Sequence, residues 1–161
     1  SKLSMTEAEL AKLRAEIDGI FNTYKNSGLT LENRSGRLYV MTAPMNFGNG
    51  SSSLSRVQRK ALDDLAMTLK NNPGVKILVE GYTDNKQYPA GSGLDNWQLS
   101  VNRSMSVVRY LIRKGVTPAQ VAAVGRGENL PEGDNTTKEG RAKNRRSAVA
   151  PDVELGGLKK N

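Results

Sequence analysis

The sequence lacks both cysteine and histidine among its 161 residues. Without a thiol or an imidazole it cannot build a cysteine nucleophile, a Ser-His-Asp triad or a Cys/His zinc site. Any catalysis would have to depend on Asp, Glu, Lys, Tyr or Ser, and the sequence predicts no enzyme, no bound metal and no cofactor. A chain of this length buries roughly two-thirds of the surface that it exposes when unfolded, so it needs no disulfide to remain folded.

Acidic and aromatic residues are also few. The chain has 16 acidic residues against 24 Lys and Arg, a net charge of +8, with five Tyr, two Phe and one Trp. This excess of positive charge favours an anionic partner such as nucleic acid, a membrane surface or an acidic polymer. The basic segment 140–146 carries Lys143, Arg145 and Arg146, but no aromatic residue that could stack on a base. A nucleic-acid-binding or phosphate-binding domain is therefore the alternative hypothesis for the function.

Long hydrophobic runs are absent as well, and residues 1–28 instead have the sparse apolar spacing of an amphipathic helix. This helix is predicted to begin with a capping box, in which Thr6 and Glu9 satisfy each other's backbone donors, and to end at Gly28. Its apolar residues alternate spacings of three and four, as in a coiled coil. They are Leu3, Leu10, Leu13, Ile17, Ile20 and Tyr24. The helix either docks on its own domain or forms the end of a stalk that pairs with a second copy and leads to an upstream membrane anchor.

Residues 29–153 are predicted to form one domain, followed by a polar tail over residues 154–161. Alternation, capping and turn patterns predict a hairpin over 29–42, a Gly/Ser-rich loop over 44–53, a helix over 55–72, an interior strand over 75–82, a loop over 83–95, a helix over 96–114, a helical turn at 117–118, a strand over 121–124, a short helix over 136–144 and a last strand over 147–153. Helices thus alternate with strands, which predicts a two-layer α/β-type domain with one sheet and helices packed on it.

Spacing also predicts which helix faces are buried. The predicted apolar stripes are Val57, Ala61, Leu65 and Leu69 in the second helix and Trp97, Val101, Met105 (or Ser104), Val108 and Ile112 in the third. Asn96, Ser100 and Arg103 share another face of the third helix, because they are four and three residues apart. That polar face is predicted to turn partly away from the apolar stripe.

Asp84 follows the interior strand directly, at the position where sheets of this type tend to bind ligands. The polar face of the third helix is expected to point at the loop that carries Asp84. A carboxylate beside a guanidinium matches an amino-acid zwitterion, with Asp84 accepting from the ammonium and Arg103 donating two bonds to the carboxylate. The alternative is a structural salt bridge between Asp84 and Arg103.

Four segments in a fixed order resemble the OmpA-like peptidoglycan-binding domain, which is shared with MotB-type motor proteins and lipoproteins. They are GYTD (81–84), NWQLSVNR (96–103), GRGE (125–128) and EGRAKNRR (139–146). The resemblance covers residues 29–153. The loop between Asp84 and Asn96 is longer than in the plain OmpA pattern and closer to the MotB-like subgroup. Tyr82 stands where the family usually has His.

The resemblance implies a mixed sheet with helices on one face and a non-enzymatic domain that binds the diaminopimelate of the peptidoglycan stem peptide. It implies a periplasmic location at the outer membrane of a Gram-negative bacterium, where the domain would tether an envelope protein to the wall. The matching Asp and Arg that grip diaminopimelate are Asp84 and Arg103. The expected ligand-binding residues are Thr83, Asp84, Asn85, Asn96, Leu99, Arg103 and Arg145.

Overall fold

The computed structural model of the chain describes residues 5–153. Leu3 and the predicted tail 154–161 lie outside the described residues. The elements are α1 (Glu7–Asn26), β1 (Leu31–Arg34), β2 (Arg37–Val40), α2 (Arg56–Asn71), β3 (Ile77–Gly81), α3 (Asn96–Arg113), a 3₁₀ turn (Pro118–Gln120), β4 (Val121–Gly125), α4 (Lys138–Asn144) and β5 (Ser147–Pro151). Their order and type agree with the sequence prediction.

The five strands form one mixed sheet in the order β1-β2-β5-β3-β4. Strands β3 and β4 are parallel and joined through α3, whereas the other neighbouring pairs are antiparallel. Val79 and Val149 face α2 and α3 and join the main hydrophobic core, which also contains Leu69 and Leu111. Glu80 belongs to the opposite face because side chains alternate along a strand. The predicted two-layer arrangement is confirmed, and that opposite face is called the open face from here on.

The predicted stripe of α3 is confirmed at Val108 and at the alternative position Ser104, which are buried, and is wrong at Trp97, which is 60% exposed. Val101 and Ile112 are more than one-third exposed, whereas Ser100 and Arg103 are fully buried. The polar face is buried because a glycine of the sheet lets the helix approach closely. A Cβ at Gly81 would lie 1.9 Å from the backbone oxygen of Ser100. The polar face of α3 therefore packs directly on the sheet, and small side chains there allow the close approach.

Hydrogen bonds replace apolar contacts on this face of α3. The hydroxyl of Ser104 donates to the carbonyl of Val79 at 2.6 Å and accepts from the amide of Val124 at 3.1 Å. The predicted stripe of α2 is confirmed at Leu65 and Leu69, which are buried, but Val57 is 69% exposed and the unpredicted Leu62 is fully buried. A spacing pattern alone could not show which of two adjacent faces meets the sheet.

Helix α1 docks on the domain through its C-terminal end. Tyr24 is buried, its hydroxyl bonds the carbonyl of Lys76, and the amide of Asp152 donates to it at 3.2 Å. Leu10 and Phe21 are more than one-third exposed. At the N-terminus the amide of Glu9 donates to the Thr6 hydroxyl, as predicted, but the Glu9 carboxylate accepts from that hydroxyl, so half of the predicted capping box is formed.

Candidate functional site

The candidate site begins at the carboxyl end of β3, where the chain stays buried for three residues after the strand. Asp84 is 3% exposed. Its Oδ1 accepts from the amide of Lys86 at 3.0 Å, and its Oδ2 lies 3.2 Å from Nη1 of Arg145. Thr83 is held beside it, since its amide donates to the carbonyl of Gly127 and its hydroxyl to the carbonyl of Asp84. The carboxylate is thus fixed by backbone on one side and by an arginine on the other.

Arg103 is the largest fully buried side chain of the domain and is held by backbone carbonyls. Its Nε donates to Ser51 at 2.8 Å, its Nη1 to Tyr82 at 2.9 Å and its Nη2 to Gly48 at 3.1 Å. Burial lowers the pKa of Arg103 to about 10, partly opposed by the charge of Asp84. The direct Asp84–Arg103 salt bridge considered from the sequence is not formed, because Arg145 takes that position beside the carboxylate.

Arg145 reaches the same place from the segment that follows α4. Its side chain is 14% exposed, and its Nε donates to the carbonyl of Phe47 at 2.9 Å. Arg103 and Arg145 therefore both hold the loop over residues 47–51 by its carbonyl groups. A loop rich in Gly, Ser and Asn has few side chains that could cover its own carbonyls. Its composition therefore indicates that side chains from elsewhere, here two arginines, must donate to those carbonyls.

Asn96, at the start of α3, closes the site from the opposite side. It is 9% exposed, and its side-chain amide donates to the carbonyl of Lys86 at 2.9 Å. Among residues 5–153 its Oδ1 is buried without a hydrogen-bond partner. An unpaired buried acceptor is costly, and a ligand donor is one way to satisfy it.

The structure brings together Asp84, Thr83, Arg103 and Arg145 and places Asn96 at the loop beside them. Leu99 lies on the buried face of α3, whereas Asn85 is exposed on the loop. The site is therefore a buried cluster around Asp84, with one of the seven predicted residues at its surface.

Sequence reasoning missed Tyr88. Its hydroxyl would lie 3.4 Å from a Cβ at Gly50, where φ is +63°, so the loop after Asp84 crosses over the Gly/Ser-rich loop. The two loops together cover Arg103.

The comparisons with known proteins identify the class. The sequence profile of the OmpA family matches residues 46–145, and the chain belongs to this family. It is 39% identical over 110 residues, 68% of its length, to the peptidoglycan-binding protein ArfA of Mycobacterium tuberculosis. It is 37% identical over 100 residues, 62% of its length, to the peptidoglycan-associated lipoprotein of Pseudomonas putida. The chain spans 32% of the first relative and 57% of the second.

The fold is similar to solved structures of the same family. The C-terminal domain of Helicobacter pylori MotB matches 72% of this chain and 89% of its own, with a TM-score of 0.64 and 25% identity. Within residues 5–153, the longest helices are too polar to span a bilayer, and acidic side chains nowhere cluster in the threes that a metal ion would require.

Proposed function

We propose that this domain binds peptidoglycan without chemical change and recognises the diaminopimelate of the stem peptide. The observation that carries the proposal is the buried cluster around Asp84, in which the carboxylate pairs with Arg145, the buried guanidinium of Arg103 lies within reach of its charge, and Oδ1 of Asn96 has no hydrogen-bond partner within residues 5–153. Membership in the OmpA family and similarity to proteins named for peptidoglycan binding support it.

The groups of the site divide between the two charges of the ligand. The side chain of diaminopimelate ends in an ammonium and a carboxylate, so Asp84 and Asn96 Oδ1 accept from the ammonium while Arg103 and Arg145 donate to the carboxylate. Arg103 has five N–H groups, and its three nitrogens already donate to carbonyls. The ligand carboxylate can bind Arg103 when the hydrogen bonds from Arg103 to the carbonyls of Gly48 and Ser51 break.

The same residues argue for binding rather than catalysis. The site holds one carboxylate and two cations, and it offers neither a second acid or base nor a nucleophile beside a base. In the proposed role the domain tethers an envelope protein to the wall in the periplasm, at the outer membrane of a Gram-negative bacterium. The exposed apolar residues of α1, Leu10 and Phe21, would then pair with a second copy on the way to a membrane anchor.

The nucleic-acid alternative has less support. Arg145 and Arg146 both point into the domain, with side chains 14% and 8% exposed, and only Lys143 of the three basic residues is exposed. A nucleic-acid backbone needs several accessible cations in a row.

Co-sedimentation with purified sacculi tests the proposal. Wild type should pellet with sacculi that contain diaminopimelate, and Asp84→Ala and Arg103→Ala should stay in the supernatant. The exposed-residue variants Asp64→Ala and Arg109→Ala are the matched controls and should pellet like wild type. Sacculi with lysine in place of diaminopimelate lack the side-chain carboxylate and should bind far less. Equal pelleting by Asp84→Ala would contradict the site, and equal binding of lysine sacculi would contradict the diaminopimelate assignment.

A further inference from the structure

The open face of the sheet carries a cleft that the proposed function does not use. It has a volume of about 980 Å³ and lies between the β1–β2 hairpin, the segment 41–46 and the loop 129–132. Glu32 and Tyr39 are register partners on this face, as are Arg34 and Arg37. The volume falls in the range of ligand pockets, roughly 300–1,000 Å³.

Arg146 is the buried cation of this cleft. It is 7% exposed, and its guanidinium stacks on the ring of Tyr82 at 3.8 Å. Its Nη2 donates to the carbonyl of Leu130 at 3.0 Å, but Nε and Nη1 find no hydrogen-bond acceptor within residues 5–153. Burial lowers the pKa of Arg146. A buried guanidinium whose Nε and Nη1 make no hydrogen bond has unused donor capacity toward an anion.

A carboxylate of the protein already marks the position of that anion. Oε1 of Glu132 lies 2.8 Å from Nη1 of Arg34 and 3.5 Å from Nε of Arg146. Arg34 stacks on Tyr39 at 4.2 Å and also pairs through Nε with Oε1 of Glu32 at 2.9 Å, so two guanidinium groups supported by tyrosine rings share the Glu132 carboxylate. Glu132 is 37% exposed and belongs to an irregular loop, so its carboxylate can leave this position.

We propose that this cleft binds a carboxylate side chain of an acidic peptide segment, which takes the position of the Glu132 carboxylate between Arg34 and Arg146. The cleft is lined by four cations against two carboxylates. Arg37 is paired with the buried Glu80, and the other three cations still exceed the two carboxylates, so an acidic partner complements the charge. The cations are Arg34, Arg37, Lys143 and Arg146, and the carboxylates are Glu32 and Glu132. Met41 and Leu130, 53% and 39% exposed, also line the cleft and offer apolar contacts to neighbouring residues of the segment. A carboxylate is favoured over phosphate because the structure itself places one there, in the planar geometry that guanidinium groups match.

This site is independent of the cluster around Asp84. Arg145 contacts Asp84, whereas the next residue, Arg146, contacts Tyr82 and Leu130 on the open face. Consecutive residues thus serve the two sides of the domain, and ligands could occupy both sites together.

The test is a titration of the isotopically labelled chain, followed by amide resonances in NMR. The probe is a blocked pentapeptide with one central Glu between Leu residues, compared with its Gln counterpart and with inorganic phosphate. The Glu peptide should shift the amides of Arg34, Glu132 and Arg146 and should bind about tenfold more tightly than either comparison probe. Absence of these shifts in wild type and in Glu132→Gln, or equal binding by the Gln peptide or by phosphate, would overturn the proposal.

Variants then assign the residues. Arg34→Gln should lower the affinity for the Glu peptide about tenfold. Glu132→Gln should raise this affinity, because the Glu132 carboxylate no longer competes for the site. Arg109→Gln removes an exposed charge from α3 and is the matched control. Asp84→Ala should bind the Glu peptide like wild type while losing sacculi, which separates this proposal from the proposed function. Unchanged binding by Arg34→Gln, or weaker binding by Glu132→Gln, would contradict the assignment.

Discussion

Glu80 and Asp84 are two buried acids near the end of β3, and the structure neutralises them differently. Glu80, fully buried on the open face, receives Arg37, two nitrogens of Arg126 and the hydroxyl of Tyr82. Asp84 receives one nitrogen of Arg145 and one amide, beside an unpaired oxygen on Asn96.

Under the proposed function, the difference separates a structural carboxylate from a binding one. Four donors saturate Glu80, so a ligand would gain little there. Asp84 has spare acceptor capacity, since an ionised carboxylate has about four lone-pair sites. Buried acids alone therefore do not mark a binding site, and the count of donors around each of them does.

The largest effect on stability is expected at Glu80. Glu80→Ala leaves Arg37 and Arg126 without their carboxylate, and breaking a buried ion pair costs about 3–5 kcal/mol. Urea unfolding followed by circular dichroism measures the loss. The exposed Glu139→Ala is the control and should remain within about 0.5 kcal/mol of wild type. A Glu80→Ala variant as stable as the control would show that the open-face cluster does not stabilise the fold.

Asp84→Ala should reverse this pattern. Its largest effect is on binding, where removing one partner of a desolvated charge pair costs about 2–5 kcal/mol of affinity. Its loss of stability should be smaller than that of Glu80→Ala, because two contacts are lost rather than four. Calorimetric titration with a muropeptide, together with the same urea measurement, checks both parts. If Asp84→Ala unfolded as readily as Glu80→Ala, the contrast between the two acids would fail.

Gly81 lies between the two acids, and Gly81→Ala should disturb both regions. The new Cβ would meet the backbone oxygen of Ser100 at 1.9 Å and push α3 from the sheet. Overpacking of this kind costs typically about 1–3 kcal/mol, and the displaced helix also carries Arg103. Thermal unfolding and sacculus binding should therefore both decline. Gly74→Ala is the control, because a Cβ there meets nothing within 4 Å.

The smallest effect is expected from Tyr82→Phe, which removes one donor from Glu80 and costs about 1–3 kcal/mol. Burial first, and then hydrogen bonds with Tyr39 and Glu80, raise the pKa of Tyr82 above its ordinary value of 10.0. The unfolded chain then releases this proton at lower pH, so the contribution is complete below about pH 10 and decreases as the pH rises above it. Unfolding at pH 8 and pH 11 should show a smaller alkaline loss in Tyr82→Phe than in wild type. An identical loss would show that the pKa of Tyr82 is the same in the folded and the unfolded chain.

Sequence reasoning predicted the order of elements because caps, turns and alternation are local signals. It predicted the residues around Asp84 from the family resemblance and from chemical complementarity. It failed for the buried face of α3, since Gly81 and Gly125 make a polar face of the helix fit the sheet, and periodicity counts only apolar residues. It could not reveal Glu80 as a saturated carboxylate, because Arg37 and Arg126 are distant from it in sequence.

Tyr82 contacts the two faces of the sheet through different groups. Its side chain contacts Glu80, Tyr39 and Arg146 on the open face, while its carbonyl accepts from Arg103. A change of the Tyr82 side chain would therefore alter the open face rather than the side-chain groups around Asp84.

The central claim is that the cluster around Asp84 recognises both charges of diaminopimelate. The most direct measurement is calorimetric titration of the wild-type domain with two muropeptides that differ only in diaminopimelate or lysine at the third position of the stem. The account predicts clear binding of the diaminopimelate form, loss of that binding in Asp84→Ala, and at least tenfold weaker binding of the lysine form, since Arg103 and Arg145 would have no carboxylate to hold. Equal affinity for the two muropeptides would contradict it.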